Sequence, residues 1–387
     1  MIVLAWVLVA VSVSFMGVGL LNALTFKRIP RRASQAAGGD GTPPARVSVI
    51  VPARNEEAVL DACLTSLRAQ QSDNLDILVV DDNSADATHA IATRHAAEDA
   101  RVRVLAGAPL PEGWVGKTWA CTQAAREAHG DWLLFVDADT THDPALVASL
   151  VGWCEDRRID LVSALPRQIT GSFWERVAVP LMHYIYYTFI PMFMITHSRS
   201  VAYTAANGQV MLVRRQAYDA AGGHAAVRGS IVDDVWLARA VKSTGARIAL
   251  ANGADLARCR MYTRREEVWR GFTKNLFPGL GFHRGLAVGL MLFTLGVLLG
   301  WLPLGVAALI GGWRAELALP MVLLIALPMV IRLILSLQCR LAAWHALLQP
   351  LSLGYLVALL WGSMRAYARG GAEWKGRRYG RGDLTSG

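Results

Sequence analysis

The sequence predicts an α/β domain on a mostly parallel, doubly wound sheet, carried between transmembrane helices near its N- and C-terminal ends. Three observations predict it. From residue 47 onward, continuous apolar runs of strand length alternate with helical stretches, the pattern of strands buried on both faces. Hydrophobic residues make up 53% of the 387 and the mean hydropathy is +0.33, too apolar for an ordinary water-soluble chain. Stretches without an acid or a base lie at 1–26, 285–313 and 341–364, each longer than the ~20 apolar residues that span a bilayer.

The membrane segments come first in the chain. Segment 1–26 is long and lacks the small-residue cleavage site of a signal peptide, so it reads as an uncleaved anchor. Lys27, Arg28, Arg31 and Arg32 follow it, and positive flanks stay in the cytoplasm. The expectation is an integral protein of the inner, cytoplasmic membrane with its domain on the cytoplasmic side. A fourth apolar stretch at 317–339 is interrupted by Arg332. Small, Gly/Pro-rich residues 33–45 mark a linker, giving an organisation of anchor 1–26, basic linker 27–45, domain 46–283, membrane helices 284–364 and basic tail 365–387.

Charge and cysteine content exclude several classes. The net charge is +9, but no basic stripe interleaved with aromatics appears, so no nucleic-acid partner is expected, and the bases flanking apolar segments suit anionic head groups. Cys63, Cys121, Cys154, Cys259 and Cys339 are scattered and odd in number, which fits neither a zinc site nor a disulfide framework. There is no P-loop and no dinucleotide fingerprint after the first strand. A transporter is disfavoured because the acids lie outside the apolar segments.

Within the domain the pattern reads strand 47–52, helix 56–70, strand 75–80, helix 86–98, strand 102–106, helix 117–129 and strand 131–139. Ligands of such sheets bind beyond the carboxyl ends of the strands. The polar oddities fall there. "ARNEE" follows the first strand, Asp81 and Asp82 the second, and Asp137 and Asp139 close the fourth. Spaced by two on an extended stretch, Asp137 and Asp139 would point the same way and could hold a hard divalent ion together with phosphate oxygens. Lys117 opens a helix, where anions are favoured, though a solvated lysine fits the same place. Asp233 and Asp234 open another amphipathic helix within 229–245. There they could serve as a general base or as ordinary first-turn acids. Trp119, Trp236 and Trp269 read as packed core rather than as acceptor platforms.

In order, "VSVIVPARNEE", "VVDDNSADAT", "GKTWACTQAAREAHGDWLLFVDADT", "ANGQVMLVRRQAYDAAGGH" and "VDDVWLARAVKSTGA" resemble the family 2 glycosyltransferases of GT-A fold. More narrowly they resemble membrane-anchored lipid glycosyltransferases grouped with ceramide glucosyltransferase and with hopene-associated and carotenoid glucosyltransferases. The resemblance covers roughly residues 46–280. It implies metal-dependent, inverting transfer of a hexose from a nucleotide sugar, commonly a UDP-sugar, to a hydroxyl or carboxyl of a membrane lipid. By that likeness Pro52, Ala53, Arg54, Glu56, Asp81 and Asp82 would contact the nucleoside. Asp137 and Asp139 would hold Mg2+ or Mn2+ against the diphosphate, near Lys117, and Asp234 would be the base. Asp233 stands where the family usually has glutamate. In "TRREEVWRGFTKN" the family's Trp motif keeps Trp269 and Arg270 but not its spacing, which weakens a polysaccharide-synthase reading and leaves Arg270 and Lys274 as candidate diphosphate contacts. A membrane-tethered nucleotide-binding module without catalysis is the alternative from another class.

Two stretches complicate the topology. Residues 177–198 carry no Asp, Glu, Lys or Arg, yet one crossing there would put Asp137 and Asp234 on opposite sides of the membrane. An interfacial or re-entrant segment is expected, or else a core helix broken at Pro191. Three crossings after the domain would put the basic tail outside, against the positive-inside rule, so one of the three is expected not to cross.

Overall fold

The computed structural model describes residues 1–32, 45–72, 74–312 and 314–380. The Gly/Pro-rich linker assigned from sequence lies almost wholly outside the described residues. The chain forms two compact units: Phe26–Ile169 with Met194–Met261, and Met1–Thr25 with Thr170–Phe193 and Tyr262–Gly380.

The first unit is the α/β domain. Its strands are β1 (Val47–Ala53), β2 (Leu75–Asp81), β3 (Val102–Ala106), β4 (Trp132–Val136), β5 (Thr140–His142), β6 (Leu161–Leu165), β7 (Arg167–Gln168), β8 (Val210–Arg214), β9 (Ile248–Asn252) and β10 (Ala257–Cys259). The main sheet has seven strands in the order β3-β2-β1-β4-β8-β6-β9. All neighbours are parallel except at β8, which runs antiparallel to β4 and to β6. The expected α/β, mostly parallel architecture holds, and β8 is what the alternating pattern did not reveal. A smaller sheet, β5-β10-β7, follows the end of β4.

The sheet is apolar because it is covered on both faces. β1, β2 and β4 bury every residue but Pro52, and the core joins Val49, Val51, Ile77 and Leu134 to Leu60, Leu64 and Leu150 from flanking helices. Strand β3 matches its sequence-derived bounds. The fourth strand does not: it stops at Val136 rather than 139. Thr140 ends it by donating both its N–H and its hydroxyl to the Asp137 carbonyl, at 3.2 and 2.6 Å. Residues 137–139 therefore form a turn, and the period-two argument for Asp137 and Asp139 does not apply.

The second unit is helical. Among the described residues, three helices are long and apolar enough to cross a membrane, Ile2–Thr25, Ala315–Gln338 and Ala343–Ala368, and the bent pair below would be a fourth if it counts as one span. The expected span at 285–313 is not one continuous helix. It is divided into Arg284–Phe293, a π-turn at Thr294–Leu298 and Trp301–Gly311, and its first part, Arg284–Leu298, forms with Arg265–Gly279 a pair bent by 116°. The break has local causes. Leu299 N–H bonds back to the Thr294 carbonyl at 2.8 Å, one residue beyond α-helical spacing. Gly300 tolerates the crowding only because it has no Cβ, which would lie 2.4 Å from the Gly296 carbonyl oxygen.

Helix Phe173–Phe189 starts from a capping box in which Ser172 and Glu175 satisfy each other's backbone N–H groups. It stops before Pro191, which disfavours helix at the preceding residue. The exposed backbone is taken up by Asn22 of the first apolar helix. Its Nδ2 donates to the Tyr187 and Ile190 carbonyls at 2.8 and 2.7 Å, and its Oδ1 accepts from Met192 N–H at 2.7 Å. Trp269 and Trp236, expected in the core, are 38% and 40% exposed.

Candidate active site

Strand ends bring the polar residues together. Ala53 and Asp81 are in register on β1 and β2, so the loops after these strands lie side by side. They are laced by backbone donors: Asp82 N–H to the Ala53 carbonyl at 2.8 Å, Asn55 N–H to Ser84 Oγ at 3.0 Å and Glu56 N–H to Thr88 Oγ1 at 2.7 Å. Arg54 reaches across to the Asp82 and Asn83 carbonyls at 2.6 and 3.1 Å. Asn55 and Asn83 both adopt left-handed backbone, at φ 52° and 55°, which asparagine accommodates better than most residues. Asp81 accepts from Ser84 N–H at 3.1 Å and lies 3.2 Å from His89 Nδ1. The acid that ends β2 thus organises a turn.

A pocket opens beside these loops, with Pro52, Lys117, Asp137, Gly208, His224, Asp233 and Asp234 among its lining residues. Lys117 comes from the first turn of helix Gly116–Glu127, and the two acids from the first turn of helix Asp233–Ser243. Lys117 Nζ stands 2.6 Å from Asp137 Oδ1 and 4.0 Å from Asp233 Oδ2. Burial works against the Lys117 ammonium, but Asp137 and Asp233 outweigh it and hold its pKa above that of an ordinary lysine.

Asp234 is the unusual carboxylate. Gly208 N–H donates to its Oδ2 and Val235 N–H to its Oδ1, both at 2.8 Å. Burial and the neighbouring Asp233 charge nevertheless push its pKa up to about 6, against the opposing pull of Lys117 and the two N–H groups. A carboxylate poised there is suited to accept a proton near neutral pH.

His224 is a pocket residue that the residue-level sequence reading did not single out. It stands 3% exposed, with Nε2 at 3.8 Å from Asp233 Oδ2. Burial and Lys117 depress its pKa to about 3, so the imidazole is neutral. The Tyr218 hydroxyl accepts from His224 N–H and meets Nδ1, both at 3.0 Å. The other ring nitrogen, Nε2, is the one that faces Asp233. The Gly-Gly before His224 allows this. Gly222 and Gly223 have φ of +77° and +57°, and a Cβ on Gly223 would lie 2.5 Å from the Tyr218 ring. That pair was the available signal, inside "AAGGH".

Of the expected site residues, Pro52, Lys117, Asp137, Asp233 and Asp234 line one pocket, and Ala53, Arg54, Glu56, Asp81 and Asp82 lie on the adjoining loops. Asp139 is not among the lining residues. Its carboxylate acts on Cys63 and Cys259, whose thiols burial and this charge push up. Arg270 and Lys274 belong to the helical unit, where the Lys274 ammonium lies 4.6 Å from the centre of the Trp374 ring.

Among the described residues, no three His, Cys, Asp or Glu side chains are grouped to hold a metal ion. The donor set at the end of β4 is one carboxylate in the pocket and a second two residues on. That set fits a hard ion that draws its other ligands from phosphate oxygens and water. Gly208 keeps the backbone close against these groups: a Cβ there would come within 3.2 Å of Lys117 Nζ and 3.3 Å of Asp234 Cβ.

The fold is an α/β domain whose strand ends bring Lys117, Asp137, Asp233 and Asp234 to one pocket. Residues 48–222 match the family described as "Glycosyl transferase family 2". Among the chain's curated relatives are 4,4'-diaponeurosporenoate glycosyltransferases. One from Staphylococcus haemolyticus is 28% identical over 60% of this chain and 61% of its own length. Another from Staphylococcus aureus is 29% identical over 61% of this chain and 62% of its own. The chain thus spans about three fifths of the length of these relatives. A mannosyltransferase from Pyrobaculum calidifontis, solved in complex with GDP-Man and Mn2+, aligns at 16% identity and a TM-score of 0.46 over 96% of this chain and 88% of its own.

Proposed function

We propose that the protein transfers a hexose from a nucleotide sugar to a hydroxyl or carboxyl of a membrane lipid, with inversion, at the inner face of the cytoplasmic membrane. The observation that carries this reading is the convergence of Lys117, Asp137, Asp233 and Asp234 on one pocket beyond the strand ends. Arg54, Asp81 and Asp82, with Pro52, Ala53 and Glu56 beside them, would receive the nucleoside. The Lys117 ammonium, held charged by Asp137 and Asp233, would face the diphosphate. Asp137 and Asp139 would hold Mg2+ or Mn2+, which when bound would neutralise charge on the departing diphosphate.

Asp234 would take the acceptor hydroxyl's proton as its oxygen attacks the anomeric carbon from the face opposite the leaving group. An ionised carboxyl acceptor has no proton to give, so the demand on Asp234 depends on the acceptor. His224, neutral and beside Asp233, would not compete with the acids for protons. The relatives are 4,4'-diaponeurosporenoate glycosyltransferases, which supports a lipid acceptor. The apolar helices support membrane attachment. With 285–313 broken, two single-helix spans follow the domain; if both cross, the basic tail returns to the domain's side.

The test is incubation of membranes containing the full chain with a panel of nucleotide sugars and Mg2+ or Mn2+, followed by lipid extraction. Transfer of labelled hexose to a lipid, abolished by chelation, is expected. Donor binding with no lipid or water-soluble glycoside formed would instead indicate a non-catalytic binding module.

A further inference from the structure

We propose that the helical unit contains a second binding site, an oxyanion site centred on Arg332 that takes the charged headgroup of an amphiphile. Arg332 lies in helix Ala318–Gln338 and is 0% exposed. Its Nη1 donates to Gln349 Oε1 and its Nη2 to the Arg176 carbonyl, both at 3.0 Å. Both acceptors are neutral. Among the described residues no carboxylate acts on this guanidinium. A full positive charge enclosed by apolar helices without a counter-charge is strongly unfavourable, and ionisable groups buried in membrane segments generally mark ligand sites.

The surroundings are rich in hydrogen-bond donors and lack an acid. Arg332 Nε, His183 Nδ1 and Ser336 Oγ are buried without a partner. Ser336 is one helical turn from Arg332 and on the same face. His183 and Tyr184 lie close enough to feel the Arg332 charge, and Tyr184 adjoins Gln349. A guanidinium, an imidazole and hydroxyls gathered without a carboxylate would repel a cation. They match a phosphate or carboxylate, whose oxygens accept from several donors at once. The same helix exposes Val330, Leu333 and Leu337 on the faces turned away from Arg332, so the ligand would come from apolar surroundings, which suits one bearing an apolar chain better than a free hydrated ion. This site is independent of the sugar-transfer reading.

The test uses the full chain in neutral detergent with equimolar phosphatidylglycerol and phosphatidylcholine, read by native mass spectrometry. One phosphatidylglycerol should be retained at least about tenfold over phosphatidylcholine, the scale of one charge-assisted contact. R332Q should abolish the preference. S336A, which leaves Arg332 and both its bonds in place, should weaken it several-fold and decides the matter if R332Q does not fold. Equal retention of the two lipids, or an undiminished preference in S336A and R332Q, overturns the site. Displacement of the lipid by millimolar inorganic phosphate overturns the amphiphile as its occupant.

Discussion

Asp234 is held by the backbone of Gly208, whose N–H donates to Oδ2 at 2.8 Å. The same glycine leaves room for Lys117. Its Cβ would fall 3.2 Å from Lys117 Nζ and 3.3 Å from Asp234 Cβ, tighter than normal packing, so both groups would have to shift. G208A should therefore lower kcat by about tenfold or more, the cost of a small misplacement at a reacting centre. Its melting temperature should stay within a few degrees of the parent, because the clash is with side-chain atoms at a pocket edge. An unchanged kcat would show that the Lys117–Asp234 spacing is not critical.

The pH profile follows from Asp234. A general base must be ionised, and this carboxyl has a pKa of about 6, so kcat/KM should fall as pH drops through about 6. D233N removes a like charge and should move that limb to lower pH. K117M removes a favourable cation and should move it higher, while also raising the donor KM. Limbs that stay put in both variants would assign the titration to another group.

D234N separates the acceptor classes. With a hydroxyl acceptor, losing the base should cost about 10² to 10⁴ in kcat while donor binding is retained. With a carboxylate acceptor the loss should be much smaller. Wild-type turnover with a hydroxyl acceptor would remove Asp234 from the role of base.

Tyr218 and His224 should act as one device. Y218F removes the hydroxyl that holds the imidazole at Nδ1 and should lower kcat several-fold without changing donor KM. H224Q should have a similar effect, and the double variant should be no worse than the larger single loss, since coupled residues are not additive. Strictly multiplicative effects would show that the two act separately.

Asn22 should matter for stability alone. N22L strips partners from two carbonyls and one N–H at the break before Pro191. Because unsatisfied buried groups cost about 1–3 kcal/mol each, a loss of about 3 kcal/mol or more is expected. A melting curve in detergent, with kcat of the folded fraction unchanged, would check both parts.

The sequence by itself determined the first four strands and their parallel character, because strands buried on both faces must be written as unbroken apolar runs. It also marked Lys117, Asp137, Asp233 and Asp234 at strand ends and helix starts, and four apolar stretches, three of which are continuous helices long enough to cross a membrane. Other features were decided only in three dimensions. Strand β8 runs against its neighbours, which no local period records. Asp139 falls outside the pocket lining, past a strand that stops where Thr140 caps the Asp137 carbonyl. The 285–313 stretch breaks at a π-turn although its composition is uniformly apolar. Hydropathy reports how greasy a segment is, whereas backbone hydrogen bonds and close contacts at single residues such as Gly300 decide whether it stays one helix. His224 became visible as a pocket residue only when the fold set it against Asp233, nine residues further along the chain.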